Sequence, residues 1–460
     1  MLDWPLMSKR IAATVLGVLA CASCSSHPPA PPPAASPRTT RVILLGFDGA
    51  SPDFIGPLAA EGQLPAIRRL MDEGSYGALK SASPTKSAIL WTSIATGKTM
   101  LKHGIIDWTY VDRMGLQVPY EDRARKVKTY WEILAERGIT TGTLNWWMSY
   151  PPRPLPTGYI VSNAFRHEEE AGTVYPQRLH ASLAPLRLNG TQAGTEMQRL
   201  GIPDWKEGDA TVPMHAAKDV LDAYRLYVAQ DLTVDRVADR LFKTEPVEVF
   251  SAYFRLVDVT SHFAVHFVDR KAYDEAVGLE KAGRLTPEAR KRIDREFAHV
   301  LAPVYRLMDR TIQKYLDARD ERTVLVVCSD HGFRFFRGNY AHAHKSMEPP
   351  EGVVFLDGPG VRKGRRIEGA TIFDIAPTIL HAMGQPVAAD MDGGVLKDAL
   401  GPGPAIRTIA SYETASGSTT PAAPEREHTE LDKDVLDDLK TLGYIGGADK
   451  ESPPSPSPRP

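Results

Sequence analysis

Two kinds of apolar pattern alternate along the chain. VILLGF, residues 42–47, is an unbroken apolar run, and similar runs recur at roughly 139–145, 247–257, 323–329 and 352–356. Such runs read as strands buried on both faces. Between them, LPAIRRLMDEGSYG, TYWEILAERG and APVYRLMDRTIQKYLDARD carry apolar residues at helical spacing. Buried strands alternating with amphipathic helices predict an α/β fold, with a central, mainly parallel sheet and helices on both faces. Residues 164–246 break the alternation with a polar, proline-containing stretch that includes AKDVLDAYRLYVAQDL. This stretch is expected to be an insertion that caps the working edge of the sheet.

The two ends follow neither pattern. Lys9 and Arg10 precede a short apolar run, Ile11–Ala20, which is too short to span a bilayer and reads as a signal peptide, residues 1–24. Val18-Leu19-Ala20-Cys21 resembles a bacterial lipobox, so Cys21 is the expected lipidation site; simple cleavage is the other reading. Residues 25–40, rich in proline, form an extended tether, and residues 447–460 a disordered tail. The expected product is an exported cell-envelope lipoprotein. It would be held by its lipid on the periplasmic side of a membrane, the outer one by preference, or at the cell surface. The body, 41–446, is expected to form one domain.

Composition narrows the field further. Lys plus Arg is 55 and Asp plus Glu 57, a net charge of -2, which gives no electrostatic case for a nucleic-acid polymer as partner. Of three cysteines, Cys21 and Cys24 lie in the leader and Cys328 in an apolar run, so no disulfide framework is available. Nothing in the composition sets an oligomeric state.

Three apolar runs end in aspartate: VILLGF in Asp48, VFSAYFRLV in Asp258 and VLVVCS in Asp330. In open α/β sheets, ligands bind outside the carboxyl ends of the strands. Each aspartate alone also suits a helix N-cap. Histidines shift the balance. His262 follows Asp258 at i, i+4, and His331 adjoins Asp330. Carboxylate with imidazole suits zinc or a similar divalent ion, and bare carboxylates so placed would repel. One further ligand is expected from the loop NYAHAH: His344 by preference, His342 as fallback.

Thr85 and Ser87 flank Lys86 just before the helical pattern AILWTSIAT. A hydroxyl at a helix N-terminus can be a plain cap or a nucleophile activated by a metal, and the pattern alone leaves both open. Lys86 can contact phosphate or simply face solvent. Trp146, Trp147 and Tyr150 can be core or can line a base or a glycan.

FDG after the first strand, the hydroxyl–helix–ATG block followed by HGI, Asp-x-x-x-His and SDHG occur in this order. Together they resemble the type I phosphodiesterase / nucleotide pyrophosphatase branch of the alkaline phosphatase superfamily. EGVVFLDGPG and LDDLKTLGYIGG resemble further bacterial segments of that family, and the likeness spans most of 41–446. The resemblance implies an alkaline-phosphatase-like three-layer sandwich and a metal-dependent phosphohydrolase. It places the nucleophile nine residues before Thr96, at Ser87 and not Thr85. It implies two divalent ions, zinc by expectation. Asp48, Ser87, Asp330 and His331 would hold one, and Asp258, His262 and His344 the other. A small phosphate ester would pass through a phosphoseryl intermediate.

The chain departs from the family in three ways: the nucleophile is Ser where the nucleotide pyrophosphatases have Thr, Ile89 replaces the usual proline, and HGIIDW lacks their phosphate-holding Asn. The last departure bears on nucleotide specificity. A phosphomonoesterase or phosphomutase on the same fold is the alternative enzyme. A sulfatase would need a Cys/Ser-x-Pro-x-Arg context, which is missing around residue 87. A metal-stabilised, non-catalytic lipoprotein that binds an envelope component is the alternative outside catalysis.

Overall fold

The computed structural model describes residues 40–166, 171–212, 217–342, 347–413, 429–441 and 445. The leader with Cys21, the proline-rich segment up to residue 39, His344 and the tail 447–460 lie outside them.

Nine strands form the main sheet, numbered here in chain order: β1 (Arg41–Phe47), β2 (Ser75–Leu79), β3 (Thr141–Leu144), β4 (Tyr159–Val161), β5 (Val174–Tyr175), β6 (Val249–Phe254), β7 (Thr323–Cys328), β8 (Gly352–Asp357) and β9 (Arg365–Ile367). Their order across the sheet is β9-β2-β8-β7-β1-β6-β3-β4-β5. β1, β3, β4, β6 and β7 run parallel, β8 runs against β7 and β2, and β5 runs against β4.

The unbroken apolar runs follow from the layering. Side chains alternate between the faces of a strand, and both faces of β1 are covered. Ile43, Leu45 and Phe47 join one core. Helices α1 (Pro52–Ala60), α2 (Pro65–Glu73), α5 (Ala217–Thr244), α6 (Leu256–Ala264) and α7 (Pro287–Ala318) build that core with them. Val42 and Leu44 join the other, with α3 (Ser87–Thr96), α4 (Tyr130–Glu136) and α8 (Ile375–Ala382). A three-layer α/β sandwich results.

Three details differ from the pattern-based reading. β6 ends at Phe254, and α6 begins at Leu256, so Asp258 sits in the first turn of a helix and not at a strand end. The apolar run continues past the strand because the start of α6 is buried too. α7 opens at Pro287, fifteen residues before the pattern suggested; Pro303 lies inside the helix and hides its continuity. The segment after β4 forms short helices, then the 28-residue α5, whose Val228, Val237 and Leu241 belong to the same core as Phe250 of β6. Among the described residues, no helix is long and apolar enough to cross a membrane.

Candidate metal centre and nucleophile

Strand register gathers the acidic residues. Phe47 of β1 pairs with Phe254 of β6, and Gly46 with Cys328 of β7. The next few residues of each chain therefore emerge side by side. Asp48 leaves β1 directly. Gly49 follows with φ of 72°, and a Cβ there would lie 2.8 Å from the Asp258 Cα, so the FDG motif needs glycine for both backbone and space. After β7, Ser329 Oγ accepts from Ala50 N–H at 2.8 Å and donates to the His331 carbonyl at 2.8 Å, which ties the two strand-end loops together. α6 then presents Asp258 and His262 on one face, with Nε2 3.5 Å from Oδ1. His342 arrives from the hairpin Arg334–Phe336/Asn339–Ala341.

The resulting cluster is compact and largely buried. His331 Nε2 lies 3.2 Å from Asp48 Oδ1, 3.6 Å from Asp330 Oδ2 and 3.8 Å from Asp258 Oδ1. His342 Nε2 lies 3.9 Å from that same Asp258 oxygen and 3.2 Å from His262 Nε2. Its ring stacks on His331 with centroids 4.1 Å apart. Asp48, Asp258, Asp330, His331 and His342 are all buried; His262 is half-buried. Two overlapping groups converge closely enough for an ion: Asp258, His262 and His342, and Asp48, Asp258 and His331. Asp258 belongs to both.

Buried carboxylates and imidazoles this close perturb one another strongly. Burial and the Asp48 carboxylate push Asp330 well above the ordinary carboxyl range, although His331 pulls the other way. Burial opposes ionisation of Asp48 too, but the hydrogen bond and charge of His331 hold it below its usual value. At His331 burial disfavours the cation, yet the carboxylates of Asp330, Asp48 and Asp258 push it up to about 10. His342 is held well below the usual histidine range by burial and by His331 and His262. Asp330 Oδ2 is buried and makes no hydrogen bond among the described residues. The His262 and His342 Nε2 atoms face each other. Inward-facing donor atoms of carboxylate and imidazole fit divalent metal ions.

Ser87 is the first residue of α3, and its Oγ donates to Asp48 Oδ1 at 3.3 Å. It stands beside the cluster at the positive end of the helix dipole. The Thr85 hydroxyl donates to the Ala82 carbonyl at 3.4 Å. Lys86 is neither loose in solvent nor buried; its ammonium pairs with Asp107 at 2.6 Å.

Three residues that the sequence reading did not single out bond either to the cluster or to the start of the helix that carries part of it. Asp48 Oδ2 accepts from Trp91 Nε1 at 3.0 Å and from the Tyr253 hydroxyl at 2.5 Å, which leaves Oδ1 to face Ser87 and His331. Trp91 packs against Gly46, where a Cβ would meet its ring at 2.5 Å. The Tyr253 hydroxyl accepts from Trp147 Nε1 at 2.6 Å. Asp231 caps α6 from another helix. Only Trp91 had a sequence signal, its i, i+4 spacing from Ser87. Trp146 and Trp147 are core residues, and Tyr150 is half-buried.

A family model described as type I phosphodiesterase / nucleotide pyrophosphatase matches residues 42–379. The chain belongs to that family. Its members are hydrolases, so family membership agrees with the site chemistry at the level of metal-dependent ester hydrolysis. No curated protein matches the chain. Solved structures similar to this chain include murine ectonucleotide pyrophosphatase / phosphodiesterase 5 in complex with AMP, 12% identical over 79% of this chain and 100% of that one, TM-score 0.43. A phosphonate monoester hydrolase from Silicibacter pomeroyi is 14% identical over 78% and 76%, TM-score 0.43. A 2-O GAG sulfatase is 13% identical over 78% and 73%, TM-score 0.49.

Proposed function

We propose that this protein is a phosphoric ester hydrolase, a phosphodiesterase by preference, that works through a phosphoserine at Ser87. The observation that carries the reading is the placement of Ser87 Oγ, 3.3 Å from Asp48 Oδ1 and beside the Asp/His cluster. Asp48 and His331, with Asp330, would hold one divalent ion, and Asp258, His262 and His342 a second. Zinc is the expected metal, and His344 the other candidate in the loop. Bound ions would supply Lewis-acid stabilisation of charge at phosphorus and lower the pKa of the attacking hydroxyl.

The chain's own residues do the rest. Asp48 Oδ1 accepts the Ser87 hydrogen bond and orients the oxygen for attack. The Ser87 Oγ–P bond forms as the bond from phosphorus to the leaving oxygen breaks. The N-terminus of α3 favours the phosphate's negative charge, and the Lys86–Asp107 pair lies next to Ser87 in sequence and space. Water then breaks the Ser87 Oγ–P bond, leaving as product a phosphomonoester from a diester substrate or phosphate from a monoester, and Ser87 Oγ regains its proton. Phosphate over sulfate is supported by Ile89 and Trp91, which stand where a sulfatase's modified nucleophile would need Pro and Arg. Delivery as a tethered envelope lipoprotein is part of the same proposal.

The test is turnover of a chromogenic phosphodiester, phosphomonoester and sulfate ester by wild type and Ser87→Ala. Diester turnover that falls by at least ~10³-fold in the variant is expected. Equal rates would remove the covalent step; sulfate turnover alone would reverse the substrate reading.

A further inference from the structure

The N–H groups that open a helix need acceptors. α6 carries Asp258 and His262, yet its N-cap residue, Arg255, supplies no side-chain cap. The acceptor comes from another helix. Arg255 N–H donates to Asp231 Oδ1 at 3.0 Å and Leu256 N–H to Oδ2 at 3.1 Å. Asp231 lies in α5 and is buried. The Arg255 guanidinium, also buried, bonds the Gln230 side chain and lies 4.7 Å over the Tyr227 ring. Tyr227, Gln230 and Asp231 thus grip the joint between β6 and α6.

A fork of two bonds on consecutive N–H groups fixes the direction of a helix as well as its start. His262 is seven residues from Arg255, or ~10 Å along the axis at ~1.5 Å per residue. A tilt of ~10° about the joint would move His262 by ~2 Å, whereas metal–ligand distances tolerate only about ±0.2 Å. A second helix provides an internal comparison. α2 also lacks a cap of its own, and Asp309 of α7 accepts from Ala66 and Ile67 N–H at 3.2 and 2.8 Å. That joint carries no residue of the metal cluster.

We propose that Asp231 is a positioning residue of the metal centre: it caps α6 from α5 and thereby sets the direction in which Asp258 and His262 point. This inference rests on the metal-centre reading. It gives the stretch between β4 and β6 a role in building the site.

The test is Co²⁺ titration of metal-free wild type, Asp231→Asn, Asp231→Ala and Asp309→Asn. Visible absorption follows binding and reports ligand geometry, and denaturant unfolding runs in parallel. Asp231→Ala is expected to bind Co²⁺ at least ~10-fold more weakly, with an altered band. Asp231→Asn, which keeps one accepting oxygen, should fall between it and wild type and decides the matter if the alanine variant does not fold. Asp309→Asn should lose stability but keep wild-type affinity and spectrum. Asp231 variants that match wild-type Co²⁺ binding overturn this inference alone, as does Asp309→Asn weakening binding as much as Asp231→Asn. Wild type that takes up no Co²⁺ overturns the metal-centre reading and this inference with it.

Discussion

Tyr253→Phe removes one oxygen from the support of Asp48 and leaves the ring in place. That oxygen donates to Asp48 Oδ2 at 2.5 Å and accepts from Trp147 Nε1 at 2.6 Å. A hydrogen bond to a buried charged group is worth about 1.5–3 kcal/mol, which is ~10- to 150-fold in an equilibrium at 1.36 kcal/mol per decade. Trp91 still donates to the same oxygen at 3.0 Å, so the loss should fall in the lower part of that range, ~10- to 30-fold in metal affinity. The Trp147 N–H, now buried without its acceptor, should cost a further ~1–3 kcal/mol of stability. Metal affinity is measured by competition with a chromogenic chelator, and stability by urea unfolding of the metal-free protein. A folded variant that has lost stability but binds metal within ~2-fold of wild type would refute the claim that Tyr253 holds Asp48 for the ion.

Other consequences can be checked the same way. Gly49→Ala forces a Cβ to 2.8 Å from the Asp258 Cα at a φ of 72°; a loss of more than ~1 kcal/mol and weaker metal binding are expected by unfolding and chelator competition. Burial pushes Asp231 from 3.8 up to about 6, against the Arg255 N–H bond that lowers it. The folded state therefore keeps this proton to higher pH than the unfolded chain, and the associated stability is present below pH ~4 and lost as pH rises through about 6. Relative to Asp231→Asn, the metal-free wild type should lose up to ~3 kcal/mol across that window in unfolding experiments. A flat difference would contradict the assignment.

The sequence made the layering legible because β1, β6, β7 and β8 are buried on both faces and so appear as continuous apolar runs. It made Asp48 and the Asp330–His331 pair legible as candidates because three such runs end in aspartate and two of them carry a histidine as well; a single aspartate there reads equally as a helix cap. The end of β6 was not legible, since burial continues from strand into α6 and the hydrophobic signal does not change at Arg255. His342 and His344 are separated by one residue, and spacing cannot decide which reaches the cluster. The structure brings His342 to Asp258 and His262, and His344 lies outside the described residues. For Tyr253, Trp91 and Asp231 the reason is deeper, although Trp91 kept one local signal, its i, i+4 spacing from Ser87. Their hydrogen bonds cross 205, 43 and 24–25 positions of sequence, and in a local window the first two are simply members of apolar segments.

Asp258 offers the most direct measurement, because its carboxylate belongs to both candidate ligand groups. Metal content after stripping, reloading and desalting, determined by elemental analysis on wild type and Asp258→Ala, is the experiment. About two ions per chain in the wild type and a loss of at least one in the variant are expected. A folded Asp258→Ala protein that retains the wild-type metal content would contradict the account.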